Sequence, residues 1–444
     1  MKRKSLSHIQ IIALGYFIIT IVGTVSLMLP IATSSGKCAP FNTALFTSVS
    51  ASCVTGLILE NTVTYWSLFG QITILSLIQL GGLGYMTIAT VFYRLIIRKH
   101  GLREKVIMAE SINTTRMNNF SNLVKKIFLG TIFIETIGAI LLSIRFVSIF
   151  GLAKGIYYGI FHSVSAFCNA GFDLLGSPTP FNSLAVFNDD PFVILVISTL
   201  IIIGSLGFLV WDDLSLKHFR FKKLNLHSKI VISVNFVLLL FGSLLFFVFE
   251  FNNSFKDMSF GSKLLNSFFS AVTPRTAGFN TVDVSALSEA SKLLTVILMF
   301  IGGSSGSTAG GIKTTSIFVI FAFVISSIRG EDSILAFNKS IKNEFLNKAL
   351  LIATINLSLA LGGTFIIAFI EPVSLSNIFI ETFSAISTVG LTAGVTTTLS
   401  TISQSVLILL MFCGRVGSVS FASALFEKKN PPPIAYPAES ITVG

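Results

Sequence analysis

Long apolar segments alternate along this chain with half-length ones, and that alternation restricts its fold more than any other feature. Eight segments, near 9–29, 66–94, 126–149, 191–211, 228–250, 290–327, 347–370 and 402–425, are long enough to cross a bilayer, the sixth with a glycine-rich interruption. Inside each successive pair lies a shorter piece, near 41–52, 156–167, 261–272 and 375–386. At about 1.5 Å per residue, a helix of that length covers roughly half the hydrocarbon core, so it should re-enter rather than cross. Only 11% of the residues are charged, against roughly 25% in a soluble domain, and mean hydropathy is +0.83. Such a chain reads as an integral membrane protein, with a retained first helix rather than a cleaved signal peptide.

The net charge of +11 could suggest nucleic acid, but its distribution gives a simpler reason. Of the 31 basic residues, 22 lie at the N-terminus, between Arg94 and Lys126, between Lys217 and Lys229, between Arg329 and Lys348, and at Lys428 and Lys429. Excess Lys and Arg mark cytoplasmic loops, which places both termini and the three basic loops inside the cell. Cys38, Cys53, Cys168 and Cys413 are scattered and suggest neither a disulfide framework nor metal-ligand spacing.

Each short piece runs into a related phrase: VSASCVTGL, VSAFCNAGF, FSAVTPRTAGF and FSAISTVGL. The glycines Gly56, Gly171, Gly278 and Gly390 recur every 107 to 115 residues. A G-x-x-G pair follows each of them, at Gly81 and Gly84, Gly204 and Gly207, Gly303 and Gly306, and Gly414 and Gly417. The expected fold is all-α and integral to the membrane. Four covalently linked repeats of span, half-helix, glycine loop and span surround a central pore with pseudo-fourfold symmetry. Their expected bounds are 1–100, 101–218, 219–330 and 331–444, the last including a C-terminal tail.

Non-helical backbone at membrane depth survives only where protein buries it or a polar cavity takes it up. Four such loops around one axis can aim their carbonyls at a shared cation, replacing its hydration shell. The negative ends of the half-helix dipoles add to that field, and glycine permits the backbone angles required. A packing role would explain any one of these glycines alone, but not four in register after half-helices. The stretch IGGSSGSTAGGIKTT, 301–315, nearly spells a phosphate loop through Gly306, Gly310, Gly311, Lys313 and Thr314. Ile312 breaks the pattern, and both flanks are apolar spans.

The phrases SVSASCVTGL, HSVSAFCNAGFDLL, AVTPRTAGFNT and SAISTVGLTAG, with GGSSGSTAGGIKTT and CGRVGS, resemble the Trk/Ktr/HKT superfamily of potassium transporters across nearly the whole chain. The likeness is greatest to the Ktr-type membrane subunit. That resemblance implies K⁺ uptake across the plasma membrane, a homodimer, and a cytosolic nucleotide-binding regulatory ring as partner. It also implies Na⁺ stimulation and no cofactor in this chain, the nucleotide being bound by the partner subunit. By position it implies a K⁺ filter made of Val54, Thr55 and Gly56, Asn169, Ala170 and Gly171, Thr276, Ala277 and Gly278, and Thr388, Val389 and Gly390. Glycine in all four places implies K⁺ preference. It implies an intramembrane gate at 302–313, formed by Gly302, Gly303, Ser304, Ser305, Gly306, Ser307, Thr308, Ala309, Gly310, Gly311 and Lys313, with Arg415 beside it. Thr397 stands where the family usually has proline, which puts the rigidity of the fourth outer loop in question.

A charge at the depth of Arg415 costs roughly 2.5–3.5 kcal/mol unless a cavity or partner receives it. It reads as an electrostatic barrier or gate-loop anchor, against a structural ion pair. Glu135 reads as structurally paired, and His162 as a hydrogen-bonded interface residue rather than a metal ligand. No catalytic motif supports an enzyme, and the longest cytoplasmic loop, near 95–125, is too short for a nucleotide-driven pump domain. A stoichiometric Na⁺- or H⁺-coupled K⁺ secondary transporter stays open as the alternative, because discontinuous helices serve those proteins too.

Overall fold

The computed structural model describes residues 8–84, 120–175, 183–331 and 333–417. The N-terminal basic cluster, most of the loop near 95–125, the ends of the second and eighth apolar segments, and the tail with Lys428 and Lys429 lie outside the described residues.

The chain is mostly helical, in the order α1 (His8–Met28), α2 (Phe41–Ser52), α3 (Thr62–Tyr65), α4 (Leu68–Gly82), α5 (Phe120–Phe150), α6 (Leu152–Phe167), α7 (Pro191–Leu206) and α8 (Phe208–Leu216). There follow α9 (Leu226–Glu250), α10 (Phe260–Val272), α11 (Glu289–Phe300), α12 (Thr314–Ile328), the strands β1 (Ile334–Ala336) and β2 (Lys339–Ile341), α13 (Asn343–Ile370), α14 (Leu375–Ser387) and α15 (Thr401–Val416). Caps fix where helices begin. Ser67, Asp190, Ser259, Ser288 and Ser400 accept from the first-turn N–H groups of α4, α7, α10, α11 and α15. The strands form a hairpin in which Ile334 faces Ile341 and Ala336 faces Lys339. Its two-residue turn, Phe337–Asn338, has φ of 49° and 59°, the primed geometry that suits strand twist.

Burial sorts the helices into two kinds. In each of the three long apolar helices, Val124–Phe150, Leu226–Glu250 and Asn343–Ile370, only 28% of the most apolar window is buried. By contrast α2 and α14 bury nearly all of their C-terminal halves, including the polar Thr47, Ser48, Ser50 and Ser52, and Glu381, Thr382, Ser384 and Ser387. The long helices therefore lie at the periphery of the chain, while the half-helices form the interior. Two apolar cores flank that interior. One joins α1, α4, α5, α6 and α7 with Phe269 and Val272 of α10; the other joins α11, α13, α14 and α15 with Phe46 and Val49 of α2.

The segment near 191–211, expected as one span, is instead α7 and α8 meeting at a 91° bend. Gly207 makes the corner with φ 94°, and its Cα faces the loop that follows α11: a Cβ there would sit 2.7 Å from the Ser305 carbonyl oxygen. The second glycine of each G-x-x-G pair is left-handed, at Gly84, Gly207, Gly306 and Gly417. The first glycine at 81, 204 and 414 lies against the carbonyl of a half-helix's last turn, at Ser52, Phe167 and Ile386. The pair is thus a joint between a helix and its neighbouring half-helix.

Candidate functional site

Each half-helix ends in a loop of the same unusual shape. Two positions turn left-handed: Val54 and Gly56 (φ 57° and 94°), Asn169 and Gly171 (59° and 70°), Thr276 and Gly278 (72° and 79°), and Thr388 and Gly390 (51° and 91°). For β-branched Val and Thr this is a strained conformation, about 1–3 kcal/mol each, and it persists only where the surroundings impose it. Backbone bonds from the half-helices supply that restraint. Thr55, Ala170 and Val389 N–H donate to the carbonyls of Ser50, Ser165 and Ser384, each at 2.8 Å. The hydroxyls of Ser50 and Ser384 accept from Gly56 and Gly390 N–H at 3.0 Å, and that of Ser165 donates to the Phe172 carbonyl at 2.6 Å. The third phrase has two extra residues, Pro274 and Arg275, and there Thr273 takes the serine's place: its carbonyl accepts from Ala277 N–H (2.9 Å) and its hydroxyl donates to the Phe279 carbonyl.

The loops touch one another in sequence. A Cβ on Gly56 would strike the Ala170 carbonyl oxygen; on Gly171 it would lie 2.8 Å from that of Ala277; on Gly278 it would strike that of Val389; on Gly390, that of Thr55. The contacts run from first loop to second, third, fourth and back to the first, so the four loops close a ring. Between the second and third loops, the Asn169 amide and the Thr276 hydroxyl meet at 3.3 Å.

Outside the ring, two loops are pinned at the same relative positions. Nine residues before Gly171, His162 donates from Nδ1 to the Tyr158 carbonyl (2.7 Å) and accepts at Nε2 from Leu174 N–H (3.2 Å). Nine before Gly390, Glu381 accepts from Ala393 N–H (3.1 Å), from the Thr392 hydroxyl (2.5 Å) and from the Thr396 hydroxyl (2.6 Å). These bonds brace the outer loop that carries Thr397. No group of three or more metal-ligating side chains occurs among the described residues, and His162 is fully engaged as a bridge.

The break after α11 is an organised loop. Ile301 and Ile312 pair as a parallel bridge, and Thr314 N–H donates to the Gly303 carbonyl (3.2 Å). Ser304 and Thr308 N–H donate to the carbonyls of Ser205 (3.0 Å) and Gly204 (3.3 Å), while Phe208 N–H donates to that of Gly306 (2.7 Å). The Ser304 hydroxyl accepts from Asn235 and Thr314, both at 3.3 Å, and Ser307 donates to the Ser304 carbonyl (2.7 Å). Ser305 pairs with Thr315 at 3.2 Å, and Lys313 Nζ donates back to the carbonyls of Ala309 (2.7 Å) and Gly310 (3.4 Å). The loop touches the ring's supports directly: the Thr308 hydroxyl donates to the Phe167 carbonyl (3.2 Å), and a Cβ on Gly310 would strike the Thr388 side chain.

Arg415 joins this loop to the first repeat. Its guanidinium donates to the carbonyls of Thr308 (2.5 Å), Gly81 and Gly82 (3.3 Å), and it forms no salt bridge among the described residues. The planar fork suits such multiple acceptors. Glu135 likewise has neutral partners, Gln79 Nε2 at 3.1 Å and the Cys168 thiol at 3.7 Å, behind the second loop.

A helical membrane bundle centred on a ring of strained, carbonyl-bearing loops is the architecture of a cation-transport protein. The TrkH model, described as a cation transport protein, matches residues 5–432, and the chain belongs to that family. It is 40% identical to the potassium/sodium uptake protein NtpJ of Enterococcus hirae, covering 100% of this chain and 98% of that protein. It is also 40% identical to the Ktr system potassium uptake protein B of Bacillus subtilis, covering 98% and 96%. Among solved structures, the potassium transporter TrkH from Vibrio parahaemolyticus has a TM-score of 0.73 at 16% identity, covering 96% of this chain and 86% of that one, a likeness of fold.

Proposed function

We propose that this chain takes up potassium ions through a pseudo-fourfold pore whose filter is the ring of loops at Val54–Gly56, Asn169–Gly171, Thr276–Gly278 and Thr388–Gly390. The observation that carries this reading is the cyclic contact among the loops, in which bare glycine Cα atoms let each backbone approach the next. A cation at its centre exchanges water for carbonyl oxygens, and the C-terminal ends of the half-helices add negative potential. The repeats 1–100, 101–218, 219–330 and 331–444 each supply one loop. Both termini and the basic loops lie in the cytoplasm of a plasma-membrane protein, as the distribution of Lys and Arg supports.

In this reading the loop 302–313 is the gate, and Arg415 anchors it. The hydrogen bonds from Arg415 to Thr308 and to the end of α4 support the anchor over a free charge in the ion path. The likeness to a protein named as one part of a Ktr system supports a regulatory partner subunit; in this reading the chain is a homodimer, that partner is a cytosolic nucleotide-binding ring, and Na⁺ stimulates uptake. Uptake of ⁸⁶Rb⁺ into liposomes tests the proposal: unlabelled K⁺ should compete far better than Na⁺. Equal competition would remove the filter assignment.

A further inference from the structure

The end of the second repeat carries a surface that transport itself does not use. The 91° bend at Gly207 turns α8 crosswise to α7, and the Lys126–Asp212 ion pair sets it beside the basic start of α5, on the cytoplasmic side in the orientation proposed above, on which this inference rests. From Ser215 to Lys223 every residue is exposed. Three of them are large and apolar: Leu216, Phe221, and Phe219, which is 78% exposed. They are interleaved with Lys217, Arg220, Lys222 and Lys223, and no acidic residue occurs between Asp213 and Glu250. The acids nearest in sequence are already engaged, Asp212 with Lys126 (2.8 Å) and Asp213 with the backbone N–H and side-chain amide of Asn225 (2.8 and 2.6 Å). At the hairpin turn, Phe337 meets Phe221 edge-on with centroids 6.3 Å apart and extends the apolar surface.

Exposed aromatics interleaved with basic side chains beside the start of an apolar span match one environment. The rings enter the boundary between headgroups and acyl chains, while the cations meet phosphates. An acidic protein face would match the charge but would not take up the exposed Leu216, Phe219 and Phe221.

We propose that this segment binds anionic phospholipid headgroups of the cytoplasmic leaflet and thereby biases the loop 301–313. The coupling is direct. Phe208, the first residue of α8, donates its N–H to the Gly306 carbonyl (2.7 Å), and Gly207 lies against Ser305, so a shift of α8 on the membrane moves the loop's backbone.

The test places a reporter at Phe219 through Phe219→Trp in full-length protein, in liposomes containing brominated phosphatidylglycerol or brominated phosphatidylcholine. Trp66 and Trp211, the native tryptophans, set the background measured on the parent. Quenching should favour phosphatidylglycerol and weaken with salt. Each basic residue near an anionic surface is worth about fivefold in affinity. Combining Lys217→Gln, Arg220→Gln, Lys222→Gln and Lys223→Gln should therefore cut the preference more than about tenfold. Equal quenching by both lipids, or an unchanged preference in the neutralised variant, overturns the proposal. So does absence of quenching accompanied by protection of the reporter by an added cytosolic subunit, which assigns the surface to a protein. The ratio of ⁸⁶Rb⁺ flux in phosphatidylglycerol to that in phosphatidylcholine should exceed one in the parent and approach one in the neutralised variant; an unchanged ratio overturns the coupling. Quenching does not depend on transport, so a parent that carries no Rb⁺ in either lipid counts against the transport reading alone.

Discussion

At Gly278 the backbone of the fourth loop leaves no room for a Cβ, and the φ of 79° disfavours one in any case. Gly278→Ser and Gly171→Ser should lower selectivity for K⁺ over Na⁺ by about tenfold, equivalent to ~1.4 kcal/mol. Competition in ⁸⁶Rb⁺ uptake measures this, and unchanged selectivity in both folded variants would move the filter elsewhere. Arg415 allows a sharper distinction. A barrier needs only charge, so Arg415→Lys would preserve normal flux; an anchor needs a fork that reaches Thr308 and Gly82 together. We expect both Arg415→Ala and Arg415→Lys to raise resting flux. Glu381→Ala should lower the thermal midpoint, because each buried donor left without an acceptor costs about 1–3 kcal/mol, whereas Glu381→Gln keeps an acceptor and should be close to normal. The ring glycines were legible in the sequence because glycine is the usual residue wherever φ is positive. Val54, Asn169, Thr276 and Thr388 were named only by their position in the motif. Nothing in a valine or threonine announces a left-handed turn, which neighbouring loops impose. Glu381 was invisible for another reason: its partners lie across a loop whose path depends on the ring.

The four half-length pieces appear as α2, α6, α10 and α14, whereas of the eight segments read as spans three are, among the described residues, single helices long and apolar enough to cross, α5, α9 and α13. The bend between α7 and α8 could not be read from hydropathy, because Gly207 sits in an unbroken apolar run and its reason for bending is a contact with residues about a hundred positions away. The loop 301–313 was readable as a break, since five glycines cost roughly 1 kcal/mol each in a helix. What it bonds to could not be read. Those partners, Gly204, Ser205, Phe208 and Arg415, are what deletion of Ser304 to Thr308 removes. Flux should then become constitutive and independent of any cytosolic subunit; retained regulation in a correctly assembled variant would return the loop to a packing role. The start of α15 gives a pH test. Hydrogen bonds from Ser400 and Ser403 hold the Glu371 carboxyl below its ordinary range. A depressed folded pKa stabilises above the unfolded value and is lost as pH falls through the folded one. Thermal stability should therefore drop on acidification through and below the usual carboxylate range, and Glu371→Gln should remove that component.

At the scale of the molecule, the question is whether the two halves can rock against each other. The half-helix α2 lies in both apolar cores, with Ala44 and Ala51 in one and Phe46 and Val49 in the other. The ring itself closes through backbone contacts between the first and fourth loops and between the second and third. Alternating access by rigid halves would have to open both seams in every cycle and expose strained backbone to lipid or water. A fixed ring with a movable loop beneath it needs neither, since a loop held by several hydrogen bonds can exist in two arrangements separated by a few kcal/mol. The expected behaviour is therefore that of a gated pore. A tenfold gradient is worth ~1.4 kcal/mol and 100 mV acts on one charge with ~2.3 kcal/mol, so a tenfold K⁺ gradient should set a reversal potential of about 59 mV. With Na⁺ equal on both sides, a carrier moving one Na⁺ with each K⁺ would give about half that value, because two charges share one gradient. It would also shift when a Na⁺ gradient is added. Reversal near 59 mV that ignores the Na⁺ gradient is the outcome expected for this chain in liposomes; a value near half, following Na⁺, would establish the coupled mechanism instead.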